Sequence, residues 1–263
     1  MSIKNNIKNT VLITGGAGFI GRSVADEIAK KSSTLILVDI DIKNLIKIKT
    51  RLTKKYKNSV DIYECDMSDS IELSNLCTTL KKTYKTIDTI INAVGMVGTN
   101  QMTGWNEKYN NQSKDAWQKC LDINLTSIFF LIQKLHKNMF KSKNASIINI
   151  SSIYGVCAPD WDLYKDTEIN NPAAYSVSKA GIVHMTKWLA STLGPKIRVN
   201  CVSPGGVYRN QSSKFIKKYE SKTLLKRMAT EKDIVGPVVF LSSPAASYIT
   251  GINLLVDGGW TIK

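Results

Sequence analysis

Val11-Leu12-Ile13-Thr14-Gly15-Gly16-Ala17-Gly18-Phe19-Ile20-Gly21 is the stretch on which the fold turns. It opens with a short apolar run, passes through a glycine-rich turn, and continues into Ile20, Val24 and Ile28, spaced by four as on one helix face. Strand, glycine-rich turn and helix in that order are the setting a dinucleotide fingerprint requires. The glycines let the backbone approach a pyrophosphate, and the helix N-terminus offers free N–H groups and the positive end of its dipole. The competing reading is a glycine-rich turn with no ligand.

Moving outward, the run 34–38 ends at Asp39, which stands 24 positions after Gly15. A carboxylate there can accept hydrogen bonds from both adenosine ribose hydroxyls and would repel a 2′-phosphate, which favours NAD over NADP. Asp41 adds to that preference, while Arg22 and Lys43 could counter it. A helix is expected over 42–56, a strand over 60–64 and a turn at Cys65-Asp66-Met67. Asp66 could bond the adenine amino group or cap the next helix, 69–84. A strand over 87–91 then delivers Asn92-Ala93-Val94-Gly95. Strands alternating with helices of this length predict a doubly wound parallel sheet, with ligands at the carboxyl ends of its strands.

The second half carries the reactive side chains. A polar loop over 96–115, with Gly98, Gly104, Trp105 and Tyr109, precedes a long helical stretch over 114–141 in which Asn124 sits among apolar neighbours. The strand 146–150 ends at Ser151-Ser152, and a second polar loop, 156–171, carries Asp160, Trp161, Asp162 and Tyr164. Pro172 suits the first turn of a helix. Inside that helix Tyr175 and Lys179 stand four apart, on one face. A phenol ordinarily titrates near ~10. A neighbouring ammonium would stabilise the phenolate and lower that value, making the pair a general acid/base. A strand over 197–202 leads to Ser203-Pro204-Gly205-Gly206-Val207. The segment 208–227 is basic and expected to be mobile; a helix over 231–241 and a strand over 253–256 complete the chain.

Composition narrows the classes. The 263 residues are 43% hydrophobic and 22% charged, as in a soluble globular protein. A net charge of +15 invites a polyanion, but only five of the 36 basic residues are Arg, and the Lys are scattered without a run of five. No nucleic-acid partner is expected. The five cysteines form no CxxC, so neither a metal site nor a disulfide framework is indicated, and a reducing cytoplasm fits. Residues 1–6 show no signal-peptide apolar region, and no run of 18 apolar residues suggests a membrane span. His136 and His184 lack acidic partners at a telling spacing and read as structural or surface; Trp117 and Trp188 read as helix packing.

Taken together, Thr14-Gly15-x-x-Gly18-x-x-Gly21, Asn92-Ala93-Val94-Gly95, Asn124, Ile150-Ser151-Ser152, Tyr175-x-x-x-Lys179, Arg198-Val199-Asn200, Pro204-Gly205 and Val256-Asp257-Gly258-Gly259 resemble the short-chain dehydrogenase/reductase superfamily over essentially the whole chain. The resemblance implies one α/β domain over 1–263. It would be a Rossmann-type sheet of about seven strands in three layers, with substrate-loop inserts at about 96–115, 156–171 and 207–227. It implies a catalytic tetrad of Asn124, Ser152, Tyr175 and Lys179. Ser152 would hold the substrate oxygen and Tyr175 would transfer the proton. Lys179 would lower the phenol pKa and bind the nicotinamide ribose, and Asn124 would hold a water leading to Lys179. For the cofactor it implies Gly15, Gly18, Phe19, Ile20, Gly21, Asp39, Asp66, Met67, Asn92, Ala93, Gly95, Tyr175, Lys179, Pro204 and Val207, the last through its backbone.

The chain departs from the family pattern in places. The glycine spacing resembles the nucleotide-sugar epimerase and dehydratase branch, while the tail resembles the single-domain type, without that branch's added substrate domain. Tyr175 lies 23 positions after Ser152, farther than in most single-domain members. Tyr208-Arg209-Asn210 stands where many relatives carry a cofactor-contacting Thr. The loops most resemble enzymes of flagellin modification and surface-polysaccharide sugar biosynthesis, with Trp105, Trp161, Tyr164 and Arg209 as candidate groups for a sugar or nucleotide- or phospho-sugar. The expected activity is NAD(P)-dependent interconversion of a secondary alcohol and a ketone, within class EC 1.1.1. The alternatives are a reductase of 3-oxoacyl or other simple ketones and a non-catalytic dinucleotide-binding sensor or scaffold. A homodimer or homotetramer through the helices at 114–141 and 173–193 is also implied, with Ala173, Ala180, Gly181 and Ala190 allowing close approach.

Overall fold

A computed structural model describes residues 9–30, 34–56, 59–97, 102–165, 167 and 170–263. The N-terminal reading over 1–6 and Gly98 of the first loop lie outside the described residues. Strands β1 (Thr10–Thr14), β2 (Thr34–Asp39), β3 (Ser59–Glu64), β4 (Thr89–Asn92), β5 (Ala145–Ile150), β6 (Ile197–Pro204) and β7 (Asn253–Val256) form one parallel sheet in the order β3-β2-β1-β4-β5-β6-β7. Helices α1 (Phe19–Ala29), α2 (Ile42–Tyr56), α3 (Ser70–Thr83), α4 (Lys114–Leu121) and α5 (Ser127–Met139) come from the first half. Helices α6 (Trp161–Tyr164), α7 (Ala173–Leu193), α8 (Ser213–Lys222) and α9 (Glu231–Ser242) follow.

The apolar runs read from the sequence become strands buried on both faces in the centre of the sheet, while the edge strands β3 and β7 stay partly exposed. Successive side chains of a strand alternate between faces. Thus Val11 and Ile13 join Leu35, Leu37 and Ile148 in a core closed by α1, α2 and α9. Leu12, Ile36, Ile90 and Ile147 enter a second core closed by α3, α5 and α7. Because β1 pairs with β2 on one side and β4 on the other, the chain reverses direction across the sheet there. That switch point opens a crevice at the carboxyl ends of β1 and β4.

Three expectations are corrected. The long helix over 114–141 is interrupted at Asp122–Thr126 by a π-helical turn, in which the Ser127 N–H bonds to the Asp122 carbonyl. Pro172 precedes α7 rather than entering it, with ψ 136 in the extended region. The segment 208–227, expected to be mobile, contains α8, capped by the Ser212 hydroxyl. Its Lys-rich composition hides Phe215 and Tyr219, four apart, which bury against Ile153, Leu163, Met228 and Trp260. This small third core lies beside the sheet. It is threaded by ring contacts from Trp161 to Tyr164 (5.9 Å), Tyr164 to Phe215 (6.1 Å), Phe215 to Tyr219 (6.3 Å) and Tyr219 to Trp260 (4.6 Å).

Candidate active site

The glycine turn closes on the switch point because its glycines leave no room for side chains. Gly15 adopts φ +69, and a Cβ there would lie 2.6 Å from the Ala93 carbonyl carbon and the Val94 nitrogen. A Cβ on Gly21 would meet the Gly15 carbonyl oxygen at 2.0 Å. Gly18 caps α1 in an extended conformation with no side-chain cap, and the first turn carries no acidic residue. The bond from the Arg22 N–H to the Gly18 carbonyl is the first of the helix pattern, so the amides of Phe19, Ile20 and Gly21 precede the ladder and can meet an acceptor. That acceptor-seeking end suits a phosphate.

Asp39 is fastened beside this turn. Its carboxylate accepts the Ala17 N–H at 2.9 Å and the Asp41 N–H at 3.0 Å. Asp66 does not cap α3; Asp69 does, accepting from the Ile71 and Glu72 amides. Instead Asp66 takes the Ser68 N–H and hydroxyl on one oxygen and the Lys119 ammonium, at 3.2 Å, on the other. Met67 is buried in the core. Asn92, fully buried, donates to Asn149 at 2.8 Å, and Asn149 donates to the Thr186 hydroxyl at 3.0 Å. This chain of amides ties the ends of β4 and β5 to α7. Ala93 bonds back to the Thr14 carbonyl, and Pro204 ends β6. Val207 bridges to Ala229, and its carbonyl accepts the Gln211 amide at 3.0 Å.

Across the crevice, α7 presents Tyr175 in its first turn and Lys179 one turn later. Lys179 is 4% exposed, donates to the Ile150 carbonyl at 3.0 Å, and holds its ammonium nitrogen 5.7 Å from the Tyr175 ring centre. A Cβ on Gly95 would lie 3.4 Å from that nitrogen and 3.6 Å from the Asn124 amide oxygen, so β4 delivers its last turn directly onto the pair. Ser151 and Ser152 divide their work. The Ser151 hydroxyl donates to the Lys179 carbonyl at 2.8 Å, whereas Ser152 accepts the Tyr154 N–H and hydrogen-bonds the Tyr175 phenol. Asn124 projects from the π-turn, fully buried. Its oxygen accepts the Met96 N–H at 2.6 Å, and its amide donates to the Met96 carbonyl, the Ser178 hydroxyl and the Cys120 thiol. Such bulges often mark functional positions in helices.

The electrostatic balance differs from the sequence expectation. Burial pushes the Tyr175 phenol up to about 12, opposed by the Ser152 hydrogen bond. Burial also pulls Lys179 down to about 8. Desolvation dominates both groups, and the phenol is neutral near pH 7.

Of the four candidate substrate groups, two stand together on α6. Trp161 is 59% exposed on α6. Tyr164 is half-buried, its hydroxyl 2.6 Å from that of Tyr154 and 3.4 Å from the Asn171 amide. Trp105 is corrected: it is 1% exposed, donates its indole N–H to the Val97 carbonyl at 2.9 Å, and packs with Met96, Ala116, Cys120 and Ala174 behind Tyr175. Arg209 is corrected too, since its guanidinium lies 4.4 Å from the Phe19 ring at the glycine turn rather than over the catalytic pair. Tyr154 and Asn171 escaped the sequence reading; Tyr154, two positions after Ser152, was the available signal. Among the described residues no three His, Cys, Asp or Glu side chains gather as a metal site.

The chain is similar to known proteins over most of its length. Residues 16–261 match the family model described as Enoyl-(Acyl carrier protein) reductase. Post-translational flagellin modification protein A of Campylobacter coli is 32% identical over 252 residues, 95% of this chain and 97% of that protein. A 3-oxoacyl-(acyl-carrier-protein) reductase of Thermotoga maritima is 28% identical over 258 residues, again covering 95% and 97%. A short chain dehydrogenase of Leptospira borgpetersenii, solved with bound NAD+, is 35% identical and superposes with a TM-score of 0.82, over 97% of this chain and 93% of that one.

Proposed function

The chain belongs to the short-chain dehydrogenase/reductase family, an oxidoreductase family, and from that premise we propose that it is an NAD-dependent enzyme interconverting a secondary alcohol and a ketone of a sugar or sugar derivative. The observation that carries this reading is the meeting of Tyr175, Ser152, Lys179 and Asn124 at the carboxyl edge of the sheet, facing the glycine turn. We read the described residues as one domain with loops added over this edge. When bound, the nicotinamide gives or takes a hydride at its C4. The α1 amides would hold the diphosphate, Asp39 the adenosine ribose hydroxyls and Lys179 the nicotinamide ribose. The carboxylate of Asp39, held by Ala17 and Asp41, supports NAD over NADP.

In this reading Ser152 donates a hydrogen bond to the substrate oxygen, and Tyr175 delivers a proton to that oxygen in reduction or removes one in oxidation. A phenol pushed up to about 12 is set as an acid at neutral pH. Oxidation of an alcohol needs the phenolate, so its rate should climb with pH through the alkaline range while reduction does not. Because the Asn124 side chain spends its bonds on Met96, Cys120 and Ser178, a water relay to Lys179 would start from the Asn124 backbone.

A sugar is supported by the pair of hydroxyls where Tyr154 and Tyr164 meet beside the exposed Trp161 ring, and by the flagellin-modification relative. The 3-oxoacyl reading rests on the Thermotoga relative. Free, phosphorylated and nucleotide-linked sugars, with an acetoacetyl thioester beside them, should be tested for NAD+ reduction and NADH oxidation. Turnover of the thioester alone would replace the sugar reading. Tyr175→Phe should lower turnover by about 10²–10⁴-fold with NADH binding intact. Unchanged turnover would leave a dinucleotide-binding protein without this catalytic group. Pairing into a dimer or tetramer is supported by Phe130 on α5 and Trp188 on α7, which stand exposed on neighbouring helices instead of packing inward. Gly181 does not serve that contact, because Leu125 already fills the space over it. Light scattering of the purified chain reads the oligomer directly. The five free cysteines support a reducing, cytoplasmic setting.

A further inference from the structure

Two arginines far apart in sequence meet at the glycine turn, and neither is used by the reading above. Phe19, the first residue of α1, is 51% exposed. The guanidinium carbon of Arg22 lies 4.4 Å from its ring centre, and that of Arg209 also lies at 4.4 Å. Each contact is favourable by itself, since the ring face is negative. Two like charges on one ring are not. Burial disfavours the charged form of Arg209, Glu231 favours it, and Arg22 opposes it, while the guanidinium stays protonated.

The local ion pairing does not balance this charge. Glu231 takes the Arg209 Nη1 at 2.8 Å, and the same nitrogen donates to the Tyr208 carbonyl at 2.7 Å. Both bonds fall on Nη1, so the other edge of the guanidinium can serve another acceptor. Among the described residues Arg22 makes no ion pair. The adjoining first turn of α1 adds uncapped amides and no acidic residue, which deepens the positive potential.

Nor is Arg209 a loose surface side chain. Its own N–H donates to the Gln211 side-chain oxygen at 2.7 Å, and the Gln211 amide returns to the Val207 carbonyl at 3.0 Å. Between them Asn210 takes φ 58, the left-handed region that costs an ordinary residue energy. This knot holds the loop so that Arg209 reaches across to α1.

We propose that Arg209 and Arg22 form an arginine clamp on the diphosphate of the bound dinucleotide, with Phe19 as the ring that sets both guanidiniums. The diphosphate is the ligand group whose charge matches the excess at this turn, and planar guanidinium groups bind phosphate oxygens in pairs. The clamp also fastens the 205–211 loop over the N-terminus of α1. This inference rests on the dinucleotide reading given above.

Calorimetric titration of the full chain with NADH, ADP-ribose, AMP and adenosine tests it without any turnover. Arg209→Leu should weaken NADH and ADP-ribose by about tenfold or more, AMP by less, and adenosine not at all. Arg22→Leu should weaken the same two ligands by a smaller factor, and Arg209→Lys should fall between Arg209→Leu and the unaltered chain. Raising the salt concentration should weaken ADP-ribose more steeply in the unaltered chain than in Arg209→Leu. Thermal melting checks that each variant folds; should Arg209→Leu fail to fold, the exposed Arg22→Leu still decides. ADP-ribose affinity within twofold of the unaltered chain in every folded arginine variant overturns the clamp. If the unaltered chain binds neither NADH nor ADP-ribose, the dinucleotide reading falls, and the clamp with it.

Discussion

The sheet with its glycine turn and the aromatic cluster beside it are built on different principles. The sheet buries both faces of every central strand, and hydrogen bonds run from the Asn92 amide through the Asn149 amide to the Thr186 hydroxyl of α7. Among the described residues the aromatic cluster has six buried side chains, and lysines at its rim tie it down. Lys218 donates to the carbonyls of Asp162 and Lys165, and Lys222 pairs with Asp160. A region with few buried contacts and exposed polar ties opens at lower free energy than the core it leans on. The half that would hold the dinucleotide is therefore rigid, and the half proposed to meet the substrate can yield.

The comparison can be broken from either side. Asn149→Ala should lower global stability by roughly 2–4 kcal/mol, because it leaves the Asn92 amide buried without its acceptor and opens a cavity. Urea unfolding measures it, and a loss below ~1 kcal/mol would show that the amide chain is not what stiffens this half.

The second test uses pH. Lys179 sits at about 8 in the fold against 10.5 when exposed, so between those values the unfolded chain binds more protons and stability rises with pH. Tyr175 sits at about 12 against 10.0, so between 10 and 12 the folded chain holds more protons and stability falls. Lys179→Met should remove the rise, worth about 3 kcal/mol at ~1.4 kcal/mol per unit, and leave the fall. An unchanged slope from pH 8 to 10 in melts without cofactor would contradict the burial assigned to this ammonium.

The cluster should respond differently. Trp260→Ala removes the ring stacked 4.6 Å from Tyr219. It should speed proteolytic cleavage around α8 while shifting the global midpoint by less than Asn149→Ala does. A larger global shift would mean that the cluster unfolds with the sheet. The smallest effect belongs to Asp160→Asn, which breaks a half-exposed ion pair and should cost below ~1 kcal/mol.

What could be read from the sequence follows the same division. Two-sided burial leaves continuous apolar runs, and a turn packed this closely needs glycines, so β1, the turn, α1 and the strand ends were visible as patterns. Tyr175 and Lys179 share a helix face, which spacing alone reveals. The rest depends on where a side chain travels after its backbone turns. Trp105 disappears because its loop folds back on α4 and α7, and Arg209 reaches α1 because Asn210 takes a left-handed turn. The helix α8 was hidden by its lysines, since the two rings that anchor it are a small part of its composition. The balance of charge was also out of reach: spacing shows that an ammonium is near the phenol, but not how much water both have lost.

The π-helical turn at Asp122–Thr126 has a genetic consequence. An α-helix advances ~100° per residue, so one extra residue rotates everything before it against everything after it. Cys120 and Asn124 can thus face Met96 and Ser178 while Ile128, Leu131 and Leu135 face the sheet. Deleting one residue from this turn would restore a regular helix and improve its local hydrogen bonding. It would also swing α4 out of register with α7 and carry Asn124 away from Lys179. A single-residue deletion here should lower turnover more than it lowers the melting temperature, so the length of this turn matters to the proposed site beyond the identity of its residues.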